Sequence, residues 1–212
     1  LTVNGREIPA TQNGWQLVRT NASLPMTLSS SMPWQIGFIN IERPGRGVTV
    51  SAMGINGAQL SQWSKWRPGM WEDLAQTKAD LIILAYGTNE AFSGNLDISS
   101  TERTWRNYIH QIKNTLPNAG ILILGAPESL KTAYGSCGNR PVLLSEVQQM
   151  QQRVARDEKI MFWSWQDAMG GACSMKNWMA QGLAAKDGVH FSAQGYETAA
   201  DKLADSLIRF AQ

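Results

Sequence analysis

Hydrophobic positions along the chain change their spacing near residue 45. Over residues 1 to about 50 they fall in short runs: Leu17-Val18, Met26-Thr27-Leu28, Gln35 to Ile41 and Val48-Thr49-Val50. The dipeptides Asn4-Gly5, Asn13-Gly14 and Pro44-Gly45 separate them and favour tight turns, so this part predicts short β-strands and no amphipathic helix. Beyond it, apolar runs alternate with helical periodicity. Leu81-Ile82-Ile83-Leu84-Ala85-Tyr86 is a continuous apolar run suited to a strand covered on both faces. Ser99 stands three residues before Glu102, a capping box that opens a helix with Trp105, Ile109, Ile112 and Leu116 on one face and Pro117 at its end. Ile121 to Leu124 is the next buried strand, closed by Gly125-Ala126-Pro127. A long helix follows Pro141, with Leu143, Leu144, Val147, Met150 and Val154 along its core stripe. Ile160 to Trp163 reads as a third strand. A last helix begins after Ser192, with Tyr196, Ala199, Ala200, Leu203 and Leu207 facing inward.

Strands alternating with helices through short links predict an α/β domain, an open parallel sheet with helices on both faces. In such sheets the functional groups gather on loops at the carboxyl ends of the strands, which says where to look for chemistry.

Composition narrows the picture. With 212 residues, 43% hydrophobic and 17% charged, the chain can bury one substantial core. A net charge of +2 without a dense Lys/Arg run argues against nucleic acid as a partner, and no apolar stretch reaches the length of a membrane span. The first residues, Leu1 to Arg6, look like the middle of a protein, so the chain is expected to be a mature or truncated product without a signal peptide. Cys137 and Cys173 form no C-x-x-C pair, and with only two histidines there is no convincing metal set. Both cysteines lie in Gly-rich loops, where free thiols and a bridge are both open; placement in an exported protein would favour a disulfide.

Three strand-to-helix junctions carry candidate chemistry. Asp187-Gly188-Val189-His190 puts a carboxylate three residues before a histidine on a tight turn, so Asp187 can hold one imidazole nitrogen while the other acts as a general base. Gly87-Thr88-Asn89-Glu90 ends the first apolar strand, and the Asn89 side-chain NH2 suits an oxyanion. Gly54-Ile55-Asn56-Gly57 follows the apolar segment from Val48 to Met53, and Gly57 can bring a bare backbone N–H to a substrate oxygen. Taken singly, each has a plain structural explanation: a capping turn, an Asn in a left-handed turn, a turn glycine. His110, inside the amphipathic helix, reads as a surface or half-buried helix residue. Trp63, Trp66, Trp71 and Trp178 could stack on sugar faces, though packing is the commoner use of so many tryptophans.

The combination and order of Gly57, Ala85-Tyr86-Gly87-Thr88-Asn89-Glu90 and Asp187-Gly188-Val189-His190 resemble the second, third and fifth blocks of the SGNH hydrolases, or GDSL-like esterases, from about residue 48 onward. The resemblance implies a three-layer α/β/α, flavodoxin-like fold and a Ser-His-Asp triad needing no metal or cofactor. It implies His190 as base, Asp187 as its orienting carboxylate, and Gly57 and Asn89 as oxyanion-hole donors. The family's first block, a Gly-Asp-Ser on the first strand, is not present, so no nucleophile is visible and the chain alone is expected to be inactive.

Among such hydrolases the chain is most similar to the periplasmic peptidoglycan O-acetylesterases, in which a β-rich carbohydrate-binding-like module interrupts the domain between the first and second blocks. That similarity implies that residues 1–45 are the tail of the inserted module and 46–212 the hydrolase domain lacking its first strand. It also implies a periplasmic or secreted location, a Cys137–Cys173 disulfide, an O-acetylated glycan or other small ester as substrate, and an N-terminal fragment of the same protein as the source of the serine. The rival expectations are an O-acyltransferase using the same triad and a non-catalytic glycan-binding protein on the same fold.

Overall fold

In the computed structural model, which describes residues 1–10, 14–43 and 45–210, the chain divides into two units, Leu1–Met53 and Gly54–Gln212. The first unit begins with a hairpin. Asn4 and Gly5 both take left-handed angles, φ 48° and 79°, the pairing that a two-residue hairpin turn requires. They join β1 (Thr2–Val3) to β2 (Arg6–Glu7), and β1 pairs on its other side with β3 (Leu28–Ser29), all antiparallel. Only one predicted run, Met26 to Leu28, overlaps a strand. Leu17-Val18, Gln35 to Ile41 and Val48 to Met53 form none, and Phe38, Val48 and Val50 are 61%, 91% and 86% exposed. A strand exists only when a neighbour takes up its N–H and C=O groups; an apolar pattern alone supplies no neighbour. Asn13 and Pro44, from two predicted turns, lie outside the described residues.

The second unit is an α/β fold on a three-stranded parallel sheet, in the order β4 (Leu81–Leu84), β5 (Gly120–Leu124), β6 (Met161–Trp163). Leu81 pairs with Gly120 and Leu84 with Ile123, while Leu122 pairs with Met161. Because β4 is an edge strand among the described residues, Ile83 is 43% exposed rather than covered on both faces as expected. Ahead of β4 lie a 3-10 helix (Leu60–Lys65) and α1 (Met70–Thr77), and α2 (Thr88–Phe92) follows it.

The crossover from β4 to β5 uses α3 (Ile98–Thr115), which buries Trp105, Ile109 and Ile112 completely and Leu116 at its C-cap. Its cap is Asp97, whose carboxylate accepts from the N–H groups of Ser99 and Ser100, and not the predicted Ser99–Glu102 box. An anionic acceptor two residues earlier satisfies the exposed N–H groups and the positive helix end better than a hydroxyl, and Glu102 is left to pair with Arg106 and Arg153. The crossover from β5 to β6 uses α4 (Leu144–Asp157), with Leu144, Val147, Met150 and Val154 fully buried. Trp105, Ile109, Ile112, Met150 and Val154, together with Leu84, Ile121 and Ile123, form the main core, while Leu144 and Val147 pack in a smaller cluster with Ala91 and Ala126.

A second cluster gathers Leu130 and Phe191 with residues of α5 (Trp165–Met169), α6 (Ser174–Ala180) and α7 (Ala193–Phe210). On α7, Ala199 is buried and Leu203 and Leu207 half-buried, but Tyr196 and Ala200 are exposed. The helix therefore contacts its neighbours along a narrower strip than its apolar residues suggest. No helix among the described residues is long and apolar enough to cross a membrane.

Candidate active site

At the end of β4 the chain turns sharply into α2. Gly87 has φ 119°, and a Cβ there would lie 2.7 Å from Gln151 Nε2 and 2.9 Å from Ala126 Cβ, so only glycine fits. Glu90, 1% exposed, reaches back: its carboxylate accepts from Gly87 N–H and from Leu60 N–H, both at 2.9 Å. Burial pushes this carboxyl above its ordinary range, against the pull of those backbone donors. Asn89 Nδ2 donates to Ala58 O at 2.9 Å, and Gln59 Nε2 donates to Asn89 O at 3.2 Å. The first turn of α2 is thus bound to the segment that follows Gly57. Gly57 has φ 77° and open space where a side chain would be. One amide hydrogen of Asn89 is held by Ala58, which fixes the plane of the group and leaves the second hydrogen for another acceptor.

Past β6 and α6 comes the Asp187–His190 turn. His190 Nδ1 lies 2.8 Å from Asp187 Oδ2, while Asp187 Oδ1 accepts from the N–H groups of Val189 at 2.8 Å and His190 at 3.0 Å. Partial burial raises the Asp187 pKa, but the His190 and Val189 backbone donors and the imidazole outweigh it and hold it at about 2. The carboxylate is therefore ionised at neutral pH and favours a proton on Nδ1, leaving Nε2 as the basic nitrogen. The His190 side chain is 71% exposed, so that nitrogen is accessible.

Polar groups that the sequence reading passed over connect these loops. Gln151, fully buried on α4, donates to Tyr86 O at 2.7 Å and accepts from Ala126 N–H at 2.8 Å, so it spans the ends of β4 and β5. Gln148 donates to Ala126 O at 2.8 Å. From the β5 loop, Leu130 N–H donates to Gly188 O at 2.8 Å, inside the Asp187–His190 turn. The available signal was two glutamines, Gln148 and Gln151, beside the buried stripe of α4. A buried side-chain amide must find partners, and here the partners are the loop backbones.

His110 lies elsewhere, its Nε2 2.8 Å from Glu158 Oε2 in a partly buried ion-pair cluster with Arg106 and Lys113. Cys137 and Cys173 are bridged, with Cα atoms 4.7 Å apart. Trp178 is 4% exposed and donates to Met169 O, which removes it from the sugar-stacking candidates; Trp63 and Trp66 stack on each other at 4.7 Å. Among the described residues no cluster of His, Cys, Asp and Glu could hold a metal ion.

The parallel sheet thus carries a carboxylate-oriented imidazole on one turn and an anchored asparagine at the start of α2, both beyond the carboxyl ends of its strands, where open α/β sheets collect functional groups. Residues 26–198 match the GDSL-like lipase/acylhydrolase family, and the chain belongs to that family. It is 65% identical to a solved peptidoglycan O-acetylesterase, with a TM-score of 0.92 over 99% of this chain; it spans 60% of that protein's chain. An acetyl xylan esterase (16% identity, TM-score 0.57, 73% of this chain and 78% of that one) shares the fold. So does a variant acetyl-xylooligosaccharide esterase from a Geobacillus species (17%, 0.51, 72% and 67%). No curated protein matches.

Proposed function

We propose that the chain supplies the base, its orienting carboxylate and two oxyanion donors of a serine esterase that removes O-acetyl groups from peptidoglycan. The observation that carries the reading is the Asp187–His190 pair, held at 2.8 Å with the carboxylate anchored by two backbone N–H groups. The family membership and the 65% identical peptidoglycan O-acetylesterase support the substrate class. The disulfide supports a periplasmic or secreted location.

The nucleophile in this reading is a serine on a strand that the sequence does not contain. A further parallel strand added to the open edge of β4, beside the exposed Ile83, would bring its carboxyl end to the same rim as Asn89. His190 Nε2 takes the proton as the serine oxygen attacks the acetyl carbonyl, and Gly57 N–H and Asn89 Nδ2 hold the oxyanion. The proton then passes to the departing sugar oxygen. Water, activated by the same imidazole, releases acetate and restores the serine.

The test is complementation. The chain alone should release no acetate from O-acetylated peptidoglycan; joined to a preceding segment that bears the Gly-Asp-Ser block, it should release acetate, and His190→Ala should abolish this while His110→Ala leaves it intact. Loss on His110→Ala with His190→Ala still active would overturn the assignment.

A further inference from the structure

Glu128 is a fully buried carboxylate in the loop after β5, outside the candidate site itself. Arg140 Nε lies 2.7 Å from its Oε1, and Gln166 Nε2 and Cys173 N–H donate to it as well. Arg140 in turn donates to Ser145 Oγ at 3.0 Å and to Gln148 Oε1 at 3.3 Å on α4. One anion thus gathers α4, α5 and the start of α6. A buried charge keeps its geometry because any displacement leaves it without compensation.

Two residues later the same loop meets the Asp187–His190 turn. Leu130, 1% exposed, donates its N–H to Gly188 O, and a Cβ on Gly188 would fall 3.0 Å from the Leu130 Cβ. On the far side of Leu130, Lys131 N–H donates to Asn139 O, and Asn139 N–H to Thr132 O, a ladder that leads directly back to Arg140. The Cys137–Cys173 bridge closes the same loop from outside. Leu130 therefore stands between two fixed points, both of which end on the Glu128–Arg140 pair.

We infer that Glu128 is a positioning residue for the Asp187–His190 pair, acting through the Leu130–Gly188 contact. It touches neither imidazole nor substrate; it sets where the turn sits. The inference rests on the reading of that pair as catalytic, and its test needs no turnover.

The readout is the tautomer of His190 in this chain, followed by long-range proton–nitrogen NMR, with His110 as the internal reference. In the wild type, Asp187 should keep His190 mainly Nδ1-protonated. Glu128→Gln, which keeps the shape and removes the charge, should shift His190 toward the Nε2-protonated form while the His110 signals stay in place. A purely structural role would lower the melting temperature and leave the His190 tautomer of the folded protein unchanged, and that result overturns the inference. Should Glu128→Gln fail to fold, Arg140→Lys decides by the same readout, since it keeps the charge and removes the fork to Ser145 and Gln148.

Discussion

Three donors converge on the Asp187 carboxylate: the N–H groups of Val189 and His190, and the imidazole Nδ1. Two of them belong to the backbone of the turn itself, so the acid keeps its orientation even before the imidazole is placed. Asp187→Asn would offer an amide where the imidazole needs an acceptor and should lower kcat by about 10⁴-fold in the serine-bearing protein, measured as acetate release. In the proposed mechanism Asn89→Ala should cost about 10²- to 10³-fold in kcat with a smaller change in KM, since there the amide matters most once the oxyanion forms. The sign of the pH effect on folding follows from the Asp187 pKa of about 2, below its ordinary 3.8. Its contribution to stability is complete above the unfolded value and is lost as pH falls through about 2. Urea midpoints from pH 5 to pH 2 should show that loss in the wild type and not in Asp187→Asn, and because the side chain is 49% exposed the difference should stay within about 1 kcal/mol.

At the scale of elements, the helices whose apolar stripes meet the sheet were legible and the N-terminal strands were not. Trp105, Ile109 and Ile112 repeat with the helical period, and the structure buries all three; Trp105→Ala should cost about 3–5 kcal/mol in denaturant unfolding. Gln35 to Ile41 holds Ile36, Phe38, Ile39 and Ile41 and forms no strand, because an apolar run leaves the hydrogen-bonding partner unspecified. The Asp187–His190 spacing was legible for a related reason: both residues lie on one short turn, where sequence distance nearly fixes spatial distance. Glu90, Gln151 and Glu128 were not, since each acts on backbone groups remote in sequence. Glu90 shows what such a residue does. Glu90→Ala leaves the N–H groups of Gly87 and Leu60 without their acceptor and should destabilise the second unit by about 3 kcal/mol.

For the whole molecule, the Cys137–Cys173 bridge links segments 36 residues apart and restricts the unfolded chain accordingly. Reduction should lower stability by about 4 kcal/mol, checked by urea unfolding with and without reductant. The open edge of β4 has a different consequence. Among the described residues no strand pairs with its outer side, and an edge of that kind beside an exposed Ile83 offers itself to any extended chain, including another copy of this one. Light scattering from the isolated chain should therefore rise steeply with concentration, and Ile83→Lys should suppress it. In the proposed reading, the strand that brings the serine would also be the molecule's guard against fibrous self-association.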